Sequence, residues 1–178
     1  MKKVLIVVDY QNDFVSGALG FDEAKEIDKN MAKRVKDAIN QNELILCTTD
    51  THGHDYLDTQ EGKLLPIPHT IKGTDGWKVY GETGKILASD KNVIYVEKNT
   101  FGSNTLLSII KDSIGRNDCE REIAGVITNI CVISNAVIAK TSLPNAKIKI
   151  NSSLCAGPDK YLHQAALDVM RSMQMEII

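Results

Sequence analysis

The sequence predicts an α/β fold: an open, mainly parallel six-stranded sheet flanked by helices in a three-layer, Rossmann-like arrangement. Three observations carry that prediction. Short β-branched runs alternate with segments of helical periodicity. The first run, Lys3 to Val8, is almost continuously apolar, as a strand buried on both faces must be. Several runs also stop on a polar residue, as strands do where a parallel sheet opens toward a ligand. With 178 residues, 43% hydrophobic and 25% charged, the chain has apolar material for one well-filled core, so a single domain over residues 1–178 is expected.

Lys3 to Val8 ends at Asp9. A loop with Gly17 and Gly20 follows, then Ala24, Ile27, Met31, Val35 and Ala38 recur at three- and four-residue steps, the stripe of one amphipathic helix with Asp22 as its cap. Glu43 to Thr49 is a second strand, stopped by Asp50. Thr51 to about Gly84 reads as a long irregular segment, and loops of that length in a compact domain are usually functional. Asn92 to Glu97 is the third strand, ending at Lys98. Ser103 then caps a helix striped with Leu106, Leu107, Ile110 and Ile114. Glu122 to Ile127 is the fourth strand, after which Thr128-Asn129 can cap a helix carrying Val132, Ala136, Val137 and Ala139. Ala146 to Ile150, a helix from Pro158 to Met173 and a strand from Met175 to Ile178 complete the alternation.

Composition narrows the function. Lys and Arg number 21 against 23 Asp and Glu, and neither sign forms a block, so nucleic acid and anionic membranes have no electrostatic footprint. The apolar run after Met1-Lys2-Lys3 is cut at Asp9, too short for a signal peptide, and no stretch could span a bilayer. Four cysteines without a CxxC pair read as reduced thiols in a cytoplasmic protein.

Residues that follow the strands are the ones to inspect for chemistry. Asp9, Asp50, Lys98 and the segment Thr128 to Cys131 bring two carboxylates, an amine and a thiol to one edge of the sheet. Cys131 is the sharpest nucleophile among the four, because a helix start favours thiolate over thiol. Lys98 could supply a positive field and Asp9 could take the proton. A lone cysteine is ordinarily a small buried hydrophobe, and Cys47, inside an apolar strand, fits that description; Cys119 falls in a polar loop and Cys155 beside a Gly-Pro turn. If Lys98 points inward it needs a carboxylate or thiolate partner. His52, His54 and His69 crowd the long loop beside Asp50, and this mixture of oxygen and imidazole donors suits zinc, manganese or ferrous iron, with Glu61 or His54 as a further ligand. His163, on the last helix, reads as ordinary surface.

Taken as a set, V-V-D-Y-Q-N-D-F (7–14), T-T-D-T-H (48–52), P-H-T-I-K-G-T-D-G (68–76), E-K-N-T-F-G-S (97–103) and G-V-I-T-N-I-C-V (125–132) make the chain resemble the isochorismatase-like cysteine hydrolases, and within them the nicotinamidases. The resemblance covers nearly the whole length. It implies a catalytic triad of Asp9, Lys98 and Cys131, a divalent metal held by Asp50, His52, His69 and, in some members, a glutamate placed like Glu61, and a substrate pocket with Phe14 and Trp77. It implies an oxyanion hole from the backbone amides of Ile127 and Cys131, beside a cis peptide at Val126-Ile127. Two departures stand out: Thr128-Asn129-Ile130-Cys131 replaces the T-D-x-C of many nicotinamidases, and Asp50-Thr51-His52-Gly53-His54 lacks the usual aromatic and proline. Neither removes a metal ligand.

The resulting expectation is a metal-dependent amidohydrolase acting on a small amide, foremost nicotinamide, with zinc the leading metal and iron or manganese as alternatives. Relatives often self-associate, so a homo-oligomer is expected. Two rivals remain at this level. One is a metal-free member of the same family acting on a carbamoyl or ureido compound or an isochorismate-like vinyl ether; the other is a flavodoxin-like or receiver-like signalling module, which leaves the cysteine and histidines unexplained and for which the chain lacks G-x-x-x-x-G-K-[ST] and G-x-G-x-x-G.

Overall fold

The computed structural model describes residues 2–114, 119–142 and 144–178. Its β1 (Lys2–Val8) forms the middle of the sheet because Val4 to Val8 have no polar side chain to leave in water; all five are at most 1% exposed. Burial of each such side chain is worth about 1.5–3 kcal/mol. Helices α1 (Asn12–Val15), α2 (Asp22–Glu26) and α3 (Asp28–Asn40) lead to β2 (Leu44–Asp50). A 3₁₀ turn (Tyr56–Asp58), α4 (Gln60–Leu64) and α5 (Gly81–Ser89) precede β3 (Ile94–Lys98). The chain continues through α6 (Asn104–Ile114), β4 (Cys119–Val126), a wide π-type turn (Thr128–Val132), α7 (Ile133–Ser142), β5 (Lys147–Ala156), α8 (Lys160–Ser172) and β6 (Glu176–Ile177).

The six strands lie in the order β3-β2-β1-β4-β5-β6 and every pair is parallel. Alternation along the strands divides the core in two. Val4, Ile6, Val8, Leu46 and Val96 face α6, α7 and α8 through Leu106, Ile110, Ala136, Ala139, Leu167 and Met170. Leu5, Val7, Ile45 and Cys47 face the opposite layer through Val15, Met31, Val35 and Leu87. Gly125, with φ +131°, lets β4 close on β1: a Cβ there would stand 2.1 Å from the Val8 carbonyl oxygen. No helix among the described residues is long and apolar enough to cross a membrane.

Several sequence expectations change in the structure. The stripe from Ala24 to Ala38 is two helices broken at Ile27, and Asp22 sits inside the first turn of α2 without capping it, paired instead with Lys25 at 2.9 Å. The segment read as irregular up to Gly84 holds the 3₁₀ turn, α4 and the first turn of α5, whose first amides are capped by a residue from another helix: Asp28 accepts from Glu82 N, Thr83 N and Thr83 Oγ1. Gly81, at φ +61°, leaves room for that carboxylate. β5 runs on to Ala156, and Cys119 begins a strand rather than lying in a loop. Ser103 does cap α6, accepting from Leu106 N at 3.1 Å; its stripe is buried at Leu106 and Ile110, and the side chain of Ile114 lies outside the described residues. On α7, Ala136 and Ala139 are buried while Val137 is 38% exposed.

Candidate active site

Strand register gathers the first group. Val8 pairs with Thr48 and Asp50 with Lys98, so Asp9, Thr48, Asp50 and Lys98 meet at one edge of three neighbouring strands. Asp9 leaves β1 at φ +45°, a conformation that Asp tolerates better than most residues. Its N–H donates to the Thr48 carbonyl at 3.1 Å and its Oδ1 accepts from Thr48 Oγ1 at 2.7 Å. Lys98 Nζ lies 2.6 Å from Asp9 Oδ2, 3.3 Å from Asp50 Oδ1 and 3.8 Å from Cys131 Sγ. The inward amine therefore has the carboxylate partner its burial demands.

Cys131 comes from the wide turn after β4. The Ile127 carbonyl accepts from Ile130 N and Val132 N, and the Val126–Ile127 peptide is cis. Asn135 braces the turn from one helical turn later: its Nδ2 donates to the Cys131 carbonyl at 2.9 Å and to Phe101 O at 3.0 Å, while its Oδ1 accepts from Ser103 N. Thr128 and Asn129 make no side-chain cap, contrary to expectation. Thr128 Oγ1 is taken instead by Nδ1 of His163, 2.9 Å away on α8. The half-buried His163 is thus no ordinary surface residue.

The electrostatics differ from those of a preformed thiolate. Burial pushes the Cys131 thiol well above its usual value, the Asp9 charge adds to this, and Lys98 only partly opposes it. Cys131 does lie in the first turn of a helical run, Thr128–Ser142, as foreseen from sequence, but its burial is the larger influence on the thiol. Burial likewise raises the Asp9 carboxyl, against the pull of Lys98. The Lys98 ammonium is disfavoured by burial, but the carboxylates of Asp9, at 2.6 Å, and Asp50, at 3.3 Å, outweigh that and push its pKa up. The resting group is a thiol beside a carboxylate of strengthened basicity and a fixed positive charge.

Asp50 joins this group to a second one. Its Oδ2 lies 2.9 Å from His52 Nε2, 3.7 Å from His69 Nε2 and 2.7 Å from Thr70 Oγ1. One oxygen of Asp50, His52 and His69 each converge within 4.8 Å, and all three residues are buried. Glu61 Oε1 stands 3.8 Å from both imidazole Nε2 atoms. His54 is exposed. His69 Nδ1 is held by the Ile67 carbonyl at 2.8 Å, which leaves Nε2 for the cluster, and His52 Nε2 is buried without hydrogen-bond geometry despite its proximity to Asp50. Orphaned nitrogen, second-nitrogen anchor and O,N,N donor set all fit a divalent cation of the zinc, manganese or iron type.

The loop reaches this geometry through residues that sequence reasoning missed. Gln11 donates to Asp50 O at 2.9 Å and Trp77 O at 2.7 Å and accepts from Asp50 N at 2.8 Å. Asp13 accepts from Thr70 N at 2.7 Å, and Tyr56 packs its ring on both His52 and His69. Gln11 and Asp13 lie inside the first quoted motif, which was the available signal; Tyr56 had none. Phe14 stands 5.4 Å from the His69 ring, at the site. Trp77 is fixed to the residue that follows β2. Its Nε1 donates to Thr51 Oγ1 at 2.8 Å, and it lines a cavity of about 510 Å³ with Thr49 and Tyr95, which alternate with Thr48 and Lys98 and so belong to the other face of the sheet.

Comparison with known proteins identifies the family and agrees with the fold. An isochorismatase domain matches residues 3–178. The chain is 34% identical over 149 residues to the uncharacterized isochorismatase family protein PncA of Bacillus subtilis, covering 78% of this chain and 79% of that protein. The crystal structure of nicotinamidase/pyrazinamidase PncA from Bacillus subtilis superposes with a TM-score of 0.86 at 29% identity over 99% of both chains. The pyrazinamidase of Pyrococcus horikoshii, solved in complex with zinc, shares the fold with a TM-score of 0.84 at 22% identity, over 100% of this chain and 99% of that one. A signalling-module reading is thereby set aside, and the chain belongs to the isochorismatase family of hydrolases.

Proposed function

We propose that residues 1–178 form one catalytic domain, a metal-dependent cysteine amidohydrolase that converts nicotinamide to nicotinate and ammonia. The observation that carries this reading is the bridging carboxylate: Asp50 touches Lys98 of the thiol group at 3.3 Å and His52 of the imidazole group at 2.9 Å. A divalent cation would be held by Asp50, His52 and His69, with Glu61 beside them, and would supply a Lewis acid for a pyridine nitrogen of the substrate. Relatives described as nicotinamidase and pyrazinamidase, one of them holding zinc, support the choice of substrate and metal.

This chain's own residues supply the covalent steps. Asp9 accepts the Cys131 proton as sulfur attacks the amide carbonyl, so the high thiol pKa is overcome only when the carbonyl is in place. Lys98 holds Asp9 and the developing negative charge in register. The amides of Ile127 and Cys131 receive the oxyanion, a donor worth about 2.7–4 kcal/mol each in comparable sites. Asp9 returns the proton to nitrogen, ammonia leaves, and a thioester remains. Water, deprotonated by Asp9, cleaves it to release the carboxylate and restore the thiol. Phe14 walls the substrate beside His69.

The test is ammonia release from nicotinamide, pyrazinamide and carbamoyl amino acids, with and without chelator. Chelator-sensitive turnover of the pyridine amide is expected, and Cys131→Ala should bring it to background without loss of fold, because so small a truncation opens little cavity. Ammonia release by purified Cys131→Ala would sink the mechanism, and chelator-insensitive turnover of carbamoyl compounds alone would replace the substrate.

A further inference from the structure

Behind the turn that carries Cys131 lies a cluster that the chemistry above does not use. Thr128, fully buried at the start of the turn, presents Oγ1 to Nδ1 of His163 at 2.9 Å. His163 belongs to α8, which packs directly on the turn. Its own backbone is fixed, since His163 N donates to the Asp159 carbonyl at 2.9 Å and the Asp159 side chain caps the helix through Leu162 N. The gap between the two elements is narrow. A Cβ on Gly157 would fall 3.3 Å from Asn129 Oδ1, 3.5 Å from Ile127 Cγ2 and 3.8 Å from His163 Cβ. Asn129 Oδ1 itself is buried with no hydrogen-bond partner, so side-chain support for the turn's first residues comes through Thr128.

We infer that His163 is a positioning residue for the nucleophile: through Thr128 Oγ1 it clamps the turn Thr128–Val132 to α8 and so fixes where Cys131 meets the substrate carbonyl. The physical reason is the shape of the turn. Its i→i+5 bonding is wider and rarer than an α-helical turn, and such turns in proteins occur mostly as single units at functional sites. Both Ile130 N and Val132 N share one carbonyl, that of Ile127. Asn135 ties down the far end at the Cys131 carbonyl; the near end is tied by His163. Burial lowers the imidazole pKa, so the ring is neutral at neutral pH and no charge is placed behind the thiol.

The inference rests on Cys131 being the nucleophile, but part of its test needs no substrate. Amide hydrogen exchange over residues 128–132 should rise about tenfold or more in His163→Ala while β1 and β4 exchange as in the wild type, because the loosening is local. In ammonia release, kcat should fall by about tenfold to a hundredfold with KM within about twofold, the signature of a misplaced reacting atom rather than a lost binding contact. His163→Asn, which puts an amide where Nδ1 was, should recover most of kcat. Thr128→Val, isosteric and free of a folding penalty at α8, should match His163→Ala, and the double variant should be no worse than either, since both remove one contact. Unchanged exchange in 128–132 overturns the inference whatever the substrate. Altered exchange with wild-type kcat overturns the link to the nucleophile, as do additive losses in the double variant. A wild type that hydrolyses no amide defeats the proposed function, while the exchange experiment still decides whether His163 holds the turn.

Discussion

Asp9 and Lys98 stand at the ends of strands and Cys131 on the turn just after β4, whereas His52, Glu61 and His69 belong to the chain between β2 and α5. Asp9 and Lys98 are placed by register, with Asp50 opposite Lys98 and Thr48 opposite Val8. The loop-borne group needs latches: Gln11 to Asp50 and Trp77, Asp13 to Thr70, Thr70 to Asp50, and a short parallel bridge between His52 and Ile71. Parallel sheets fix the sites of side chains at their carboxyl edges through main-chain pairing alone, but a loop must spend buried polar side chains to reach comparable order. The comparison also separates their electrostatics. Lys98 is held in a buried ion-pair network, so its loss would affect the whole sheet edge; His52 and His69 instead converge with Asp50 as a donor set that could hold a metal.

Lys98→Met tests the first half and should have the largest effect on stability. It leaves Asp9 and Asp50 buried without their cation, at a cost of about 3–5 kcal/mol, which in a domain of this size lowers Tm by roughly 6–20 °C. A Tm within about 2 °C of the wild type by calorimetry would mean that register is not what this pair supports. His52→Ala tests the second half. Divalent metal retained after dialysis, measured by elemental analysis, should fall by more than about tenfold, with a smaller Tm loss than Lys98→Met. Metal content equal to the wild type would remove His52 from the ligands.

The thiol sharpens the contrast by its response to pH. Because burial and Asp9 raise the Cys131 pKa, the sulfur of the substrate-free protein stays protonated at neutral pH, and iodoacetamide alkylation should climb only as pH passes above the ordinary thiol value of about 8.5. A rate already on its plateau at pH 7 would show a preformed thiolate. The smallest effect belongs to Lys72→Ala. Its 2.6 Å pair with Glu97 joins two groups that are 60% and 44% exposed, so it should change stability by no more than about 1 kcal/mol. A larger loss on denaturant titration would mean that surface charge, rather than buried latches, orders the loop.

Much of this was legible in the sequence. Every strand was visible because the interior of a parallel sheet demands apolar runs, and Asp9, Asp50 and Lys98 stood out where those runs stop. α5 was not legible, since its cap, Asp28, is 54 residues away from Glu82 and its own start is a glycine. The role of His163 was hidden for the same reason: nothing local distinguishes a histidine that faces solvent from one that meets a buried threonine 35 residues earlier. Trp77 was expected beside the substrate; it lines a cavity with Thr49 and Tyr95, and where its ring sits depends on the path of the loop.

The linear order of apolar and polar residues determined the layers, the strand ends and the kinds of chemical group brought to them, because hydrophobic periodicity is a local property that burial enforces. Only tertiary structure decided that Asp50 touches both groups, that burial pushes the Cys131 thiol up and that α8 reaches back to Thr128. Those outcomes depend on distances of a few ångströms and on local dielectric, which exist only once segments far apart in the chain are packed together.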